Sequence, residues 1–423
     1  MPIFRVLLVA ETTGYQIRSF QEAAQQLGVE LLLATDRCHV LDDPWRDGAV
    51  PIRFYDELGA VNIIQEAAID RPLDGIIAVG DRPAVIAAAA AHALGLDGHK
   101  PDAVRASGNK LMTRHRLREH GLLVPWFLDF PVDVTLSSGL PLGVSFPCVV
   151  KPLSMAASCG VIRVDRAEDL AAAVSRVQGL LGRSKTRALR DPSSQKLLIE
   201  AYIPGREVAI EGVLTQGRLQ VFAIFDKPNP LEGPFFEETI YVTPSECSLD
   251  ERRCISENLQ RAIEALGLSH GPIHAECRLN TDGVFVLEIA ARPIGGLCSK
   301  TLRFYEQDTK YATLESVLLR HAIGDPVTGY RREKQAAGVM MIPIPSEGRF
   351  RHVGGVETAK AVKCVEEVVI TAKRDQLIAP PPNGDSYLGF IFARGSKSDE
   401  VVEALRTAHE RLKIEILPLV QFL

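Results

Sequence analysis

The chain has 423 residues, 46% of them hydrophobic and 24% charged, with a formal net charge of −5. These values describe an ordinary globular protein with an ample core and about three domains. The mild negative charge, without a dense Lys/Arg cluster, argues against a nucleic-acid-binding surface, and no run reaches the ~18 apolar residues of a membrane span.

Residues 4–10 (FRVLLVA) form a continuous apolar run, the pattern of a parallel strand buried on both faces. A helix over 15–27 closed by Gly28, a strand over 30–34 and a strand over 74–79 follow, and then an alanine-rich helix ends at Leu94 before Gly95. This alternation predicts a parallel α/β domain over 1–108. No G-x-G-x-x-G follows the first strand, so dinucleotide binding there is poorly supported. The first strand shows no signal-peptide pattern, and the eight cysteines have no metal-ligand spacing. Reduced thiols in the cytoplasm are expected.

The character changes near Gly108. A strongly charged helix is predicted over 109–120, stopped by Gly121, and a strand over 146–151 (FPCVVK) ends in Lys151 before the small-residue loop LSMAASCG. Strands over 197–200 and 206–214 precede a long connection over 226–244, rich in Pro, Gly and aromatics; loops of that length in a compact domain are usually functional. An amphipathic helix over 251–266 leads into a hairpin, strands 273–280 and 284–290 joined by Thr281-Asp282-Gly283. Beyond Pro326 come short strands (338–342, 367–371, 388–393) and a helix over 398–412.

The hairpin carries the strongest chemical signal. Asn280 pairs with Val284 in the expected register, which sets Glu276 directly opposite Glu288. His274, Glu276, Arg278, Glu288 and Arg292 then share one face, and Phe285, Leu287 and Ile289 form the packing face. Opposed carboxylates with Cβ atoms ~5 Å apart destabilise a bare sheet. A divalent cation reverses that sign, and Mg²⁺ held by carboxylates commonly also binds nucleotide phosphate. The plain alternative is a surface hairpin salt-bridged by its own arginines. Lys110 opens a helix, a poor place for a cation, and Lys151 ends a strand beside a loop whose small residues let backbone N–H groups approach a phosphate. Singly, either lysine reads as a solvated surface group and the loop as a linker.

The order of these pieces is more specific. NK-x-x-x-R, FPCVVKP with its small-residue loop, IEAYIPGREVAIEG and HAE…FVLEIAARPIGG together resemble the ATP-grasp superfamily over roughly 1–324. The resemblance implies an α/β (α+β) fold: a pre-ATP-grasp domain over 1–108, an ATP-grasp domain over 109–330 (lid 109–199, catalytic part 200–330) and a C-terminal α+β cap over 331–423. It implies that Lys110 and Lys151 bind nucleotide phosphates, and that Ser154, Ser158 and Gly160 belong to the flap over them. Glu200, Ala201, Tyr202 and Ile203 would take the adenine, mainly through backbone groups, and Glu207 the ribose. Glu276 and Glu288 would hold Mg²⁺ or Mn²⁺, and Arg292 would steady the transferring phosphate of ATP.

The pattern E-x-A-x-R-x-x-G-G, with H-x-E on the preceding strand, resembles the bacterial L-amino-acid ligases in particular. Ala290 stands where many members of the superfamily carry a metal-binding Asn. An ATP-dependent carboxylate–amine ligase acting through an acyl phosphate on small-molecule substrates is therefore expected, with a homodimer as the common assembly. His274 would hold a carboxylate or act as a base; a strand histidine is otherwise structural. Lys227, Glu237 and Glu238 would meet the second substrate, or simply be a solvated loop. Gly295 and Gly296 would let backbone approach the acyl phosphate. A biotin-carboxylase-like enzyme using bicarbonate and a non-catalytic ATP-binding protein are the competing readings. The carboxylase lacks support because Arg292 leads into PIGG.

Overall fold

The computed structural model describes residues 4–12, 14–36, 49–136, 141–306, 310–384 and 386–419. Arg5–Ala10 is buried at every position, as a continuous apolar run requires of a strand covered on both faces. It pairs in parallel with Glu30–Thr35 and Gly75–Val79, and Ala49–Pro51 adds an edge. The helices Ile17–Leu27 and Asp81–Leu94 end at Gly28 and Gly95, whose φ values of 68° and 69° are the left-handed conformation that glycine adopts at least cost.

A second layer is a four-stranded antiparallel sheet, in spatial order Phe127–Pro131, Lys196–Ala201, Cys148–Pro152 and Ile162–Val164. Helix Ala167–Leu181 covers one face, setting Leu170, Val174 and Val177 against Cys148, Val150 and Ile199. The charged helix Lys110–Glu119 packs elsewhere. Its Leu117 joins Ile255, Leu259 and Ile263 of helix Leu249–Leu266 in a separate core. Asn109 caps the charged helix, its side chain accepting from the amides of Leu111 and Met112, which offsets the orphan donors of the first turn.

The centre is an eight-stranded antiparallel sheet. Its spatial order is Gly283–Ala290, Gly271–Asn280, Arg206–Thr215, Arg218–Asp226, Ile240–Thr243, Ala336–Ile342, Gly389–Gly395 and Val365–Ile370. Strands from beyond residue 331 thus extend the same sheet that carries the hairpin. The long connection expected over 226–244 is shorter in fact: Ile240–Thr243 is a fully buried strand, as its β-branched and aromatic residues favour. Helix Leu249–Leu266 begins two residues before its expected start, because Ser248 and Glu251 form a complete capping box. On the other side, Val401, Ala404 and Leu405 of helix Ser398–Glu410 pack on Met340, Ile342 and Ile391.

Candidate active site

In the hairpin, Asn280 pairs with Gly283 rather than Val284, so the loop is the two residues Thr281 and Asp282. Near the turn the register is therefore one residue off the expected one. A bulge then intervenes: Cys277 pairs with Val286 and Glu276 with Glu288, leaving Leu287 as the extra residue. It restores the opposition of the two glutamates and re-aims the strand. The expected packing face changes accordingly. Val284, Val286 and Ile289 enter the core, Phe285 is half-buried, and Leu287 turns to the cleft between the four-stranded sheet and the central sheet.

That cleft is lined by Lys110, Lys151, Ser158, Glu200, Ala201, Tyr202, Ile203, Glu207, His274, Glu276, Glu288, Arg292, Gly295 and Gly296. Four sequence candidates lie outside its wall. The Ser154 hydroxyl donates to Asp191 Oδ2 at 2.5 Å, because the loop is tied down there before it turns into the cleft. The Gly160 amide donates to Pro382 O at 3.0 Å, Glu237 is half-buried in the long loop, and Lys227 lies behind the wall.

Lys227 is enclosed by carboxylates. Its Nζ is 2.7 Å from Glu207, 2.9 Å from Glu238 and 2.8 Å from Glu276. Those three glutamates are close enough to one another to hold a metal ion, but the Lys227 ammonium already contacts an oxygen of each. Burial would lower the Lys227 pKa, and the three carboxylates instead raise it well above the ordinary lysine value. Glu207 also accepts from Arg278 Nε at 2.8 Å. Burial and the neighbouring Glu276 push Glu238 up to about 7, while Tyr241 donates its hydroxyl to Glu238 Oε2 at 2.5 Å.

A second network anchors the floor. Arg114 is fully buried; it donates to Glu200 from Nε at 2.8 Å and Nη2 at 3.2 Å, and to the Val286 and Leu287 carbonyls at 3.2 and 3.1 Å. It thus fastens the bulge that presents Glu288. Lys151 donates to the same Glu200 at 2.5 Å. Burial alone would raise Glu200, but the Arg114 and Lys151 cations hold it at about 2. Burial lowers Lys151 to about 8 despite that carboxylate. Arg114 was open to sequence reasoning, since it follows Lys110 by one helical turn and so shares its face.

Glu288 pairs with Lys110 Nζ at 3.1 Å. Arg292 donates to Asp81 through Nε at 2.7 Å and Nη2 at 3.3 Å, a two-point clamp that fixes the guanidinium plane. Asp81 opens helix Asp81–Leu94, so the N-terminal domain orients this arginine. His274 Nδ1 lies 3.2 Å from Glu211 and Nε2 3.9 Å from Glu276. Burial would lower the imidazole, yet the two carboxylates raise it to about 9. Glu211 also accepts from the Ile294 amide at 3.2 and 3.1 Å, which ties the Pro-Ile-Gly-Gly loop to the histidine. Ala290 pairs with His274 across the hairpin and supplies no amide. Glu276 and Glu288, opposed and open to the cleft, are the hard oxygen donors that Mg²⁺ prefers.

Three family models match the chain: an ATP-grasp N-terminal domain over residues 21–98, an ATP-grasp domain over 144–301 and an L-amino acid ligase C-terminal domain 2 over 340–416. The fold is similar to the crystal structure of an L-amino acid ligase from Bacillus licheniformis, with a TM-score of 0.81 and 28% identity, covering 99% of this chain and 100% of that one. Among curated proteins, the ATP-grasp enzyme fsqD of Aspergillus fumigatus is 26% identical over 282 residues, 63% of this chain and 46% of that protein. Carnosine synthase 1 of Gallus gallus is 29% identical over 302 residues, 68% of this chain and 31% of that protein. The chain thus spans less than half the length of these two relatives. No helix among the described residues is long and apolar enough to cross a membrane. The chain belongs to the ATP-grasp superfamily, and among its members it is similar to the L-amino acid ligases.

Proposed function

We propose that the protein is an ATP-dependent carboxylate–amine ligase that joins amino acids or related small acids through an acyl phosphate, releasing ADP and phosphate. The observation that carries this reading is the opposition of Glu276 and Glu288 in a cleft shared with Lys110, Lys151 and Arg292. Phosphoryl transfer asks mainly for positioning and charge neutralisation. Lys110 and Lys151 bind the nucleotide phosphates, Ser158 and its neighbours cover them, and Glu207 takes the ribose. The Ala201 and Tyr202 amides already serve the carbonyls of Trp126 and Pro147, so the donor to the adenine edge falls to the Ile203 amide, whose own carbonyl accepts from Arg278. Glu276 and Glu288 would hold Mg²⁺ or Mn²⁺, which neutralises phosphate charge when bound. Arg292, held flat by Asp81, faces the acyl phosphate, and the backbone at Gly295 and Gly296 lies beside it.

His274 keeps its proton throughout the neutral range, so it holds an anion such as the substrate carboxylate rather than taking a proton from the amine. Glu238, which titrates near neutrality, is better matched to receive that proton. We take the four-stranded sheet as the lid, and the sections 1–108 and 331–423 as the supporting N-terminal and cap domains.

Incubation with Mg-ATP and pooled amino acids, with ADP and amide product measured, tests the reading. Release is expected only with an acid and an amine both present. Bicarbonate-dependent release, or no release with any pool, would overturn it.

The pH dependence has a definite sign. The folded value of His274 lies above its ordinary value of 6.5, so the stability from its carboxylate contacts is complete below that value and is lost as pH rises through about 9. We expect kcat to fall above about pH 9, and His274→Gln to lower kcat by about a hundredfold and to abolish that limb. An unchanged alkaline limb in the variant would refute the role.

A further inference from the structure

The segment 379–384, between strands Leu377–Ile378 and Gly389–Gly395, does not stay with the C-terminal section that bears it. It carries three consecutive prolines, Pro380, Pro381 and Pro382, which have no amide hydrogens and can offer only carbonyls. The tip closes on itself, with the Asn383 and Gly384 amides donating to Pro380 O at 3.2 and 3.1 Å. No side chain fits at Gly384, where a Cβ would lie 1.8 Å from Ala379 O. The result is a short, stiff hook.

The hook reaches the flap and the lid. Pro382 O accepts from the Gly160 amide at 3.0 Å and from Cys159 Sγ at 3.6 Å, at the end of the loop whose preceding residues line the cleft. Asn383 accepts from two lid arginines, Arg183 through its carbonyl at 2.8 Å and Arg176 through its side chain at 3.3 Å. The opposite end of the flap is held by Lys110, whose Nζ donates to Met155 O at 2.9 Å. On the other side of the hook, Tyr387 lines the same cleft, as do Gly296, Cys298 and Met341. The next residue, Leu388, is already fixed in the central sheet through its amide to Ile342 O at 3.0 Å.

We propose that this hook is a latch: it fastens the glycine end of the phosphate flap to the wall formed by Tyr387, so that the flap stays shut over the reacting phosphate while substrate occupies that wall. The inference rests on the ligase reading for its chemical consequence. An acyl phosphate exposed to water is hydrolysed: water adds to the acyl carbon, the carbon–oxygen bond to phosphate breaks, and free carboxylate, phosphate and a proton result. A loosened latch would therefore spend ATP without forming an amide.

The test uses Gly384→Ala, whose added methyl cannot be accommodated in the closed hook. As a second variant, the pair Arg176→Ala and Arg183→Ala removes exposed contacts, those to the hook and that of Arg176 with the Phe235 ring. Hydrogen exchange is measured on the nucleotide-free full chain, and ADP is counted against amide formed during turnover. In both variants we expect the Gly160 amide to exchange faster, by about tenfold in Gly384→Ala from the lost hydrogen bonds, and ADP per amide to rise several-fold. Unchanged Gly160 exchange in both variants overturns the latch. If Gly384→Ala fails to fold, unchanged exchange in the arginine pair suffices to overturn it. A wild-type protein with a protected Gly160 amide, faster exchange in the variants and no amide product upholds the latch and defeats the ligase reading instead.

Discussion

Glu288→Gln is expected to lower ADP release by about a thousandfold while leaving the fold intact. Glutamine keeps the volume and one acceptor oxygen but removes the charge. Glu288 is only half-buried, so stability changes little. Its loss has two opposed effects. The proposed cation site falls to one carboxylate, Glu276, which is already shared with Lys227. At the same time Lys110 is released from its 3.1 Å ion pair and becomes a freer partner for phosphate. Turnover should therefore collapse while metal-free ATP affinity holds or improves. Calorimetric titration with ATP in chelator, alongside kcat, separates the two effects. An unchanged kcat would show that Glu288 is no metal ligand.

The largest effect on stability is expected at Arg114. Its side chain is the largest among those fully buried, and Arg114→Ala would strand Glu200 with Lys151 as its remaining cation. Breaking a buried pair on one side costs about 3–5 kcal/mol, which denaturant midpoints would read directly. Glu200 is held at about 2, below its ordinary 4.5. The stability it contributes is present above that ordinary value and is lost as pH falls through about 2. The deficit of the variant should accordingly shrink in acid, and adding Glu200→Gln should recover part of it. A variant with the wild-type midpoint would mean that the pair contributes nothing net. Because Arg114 also holds the bulge carbonyls, the same variant should blur the placement of Glu288.

Much of this was legible in the sequence because local patterns wrote it. The apolar run of Arg5–Ala10, the glycine stops at Gly28 and Gly95, and the alternation around Glu276 and Glu288 each act within a few residues. What escaped depends on distance. Asp81 and Arg292 are 211 positions apart, and nothing beside either names the other. The bulge at Leu287 lies in the edge strand of the central sheet, where Arg114 takes up the Val286 and Leu287 carbonyls. Its effect on facing could not be read from period alone, although two departures from expectation, the shorter turn and the bulge, cancelled at the glutamates. Glu211 looked like one more strand carboxylate until burial turned it into a support for His274, and Arg114, although it stood in the NK-x-x-x-R run, meets Glu200 and the bulge 86 and 172 positions away.

The central sheet also imposes an order on the making of the protein. Ile240–Thr243 lies between Arg218–Asp226 and Ala336–Ile342, and its register with the latter runs from Ile240↔Met340 to Thr243↔Ala337. During synthesis this apolar strand must wait with one edge bare until the residues that cover it leave the ribosome. Such an edge is a template for adhesion between chains. A fragment ending near residue 330 would keep every glutamate and lysine of the cleft and still carry that open edge, so its shortfall would be in solubility before it was in chemistry.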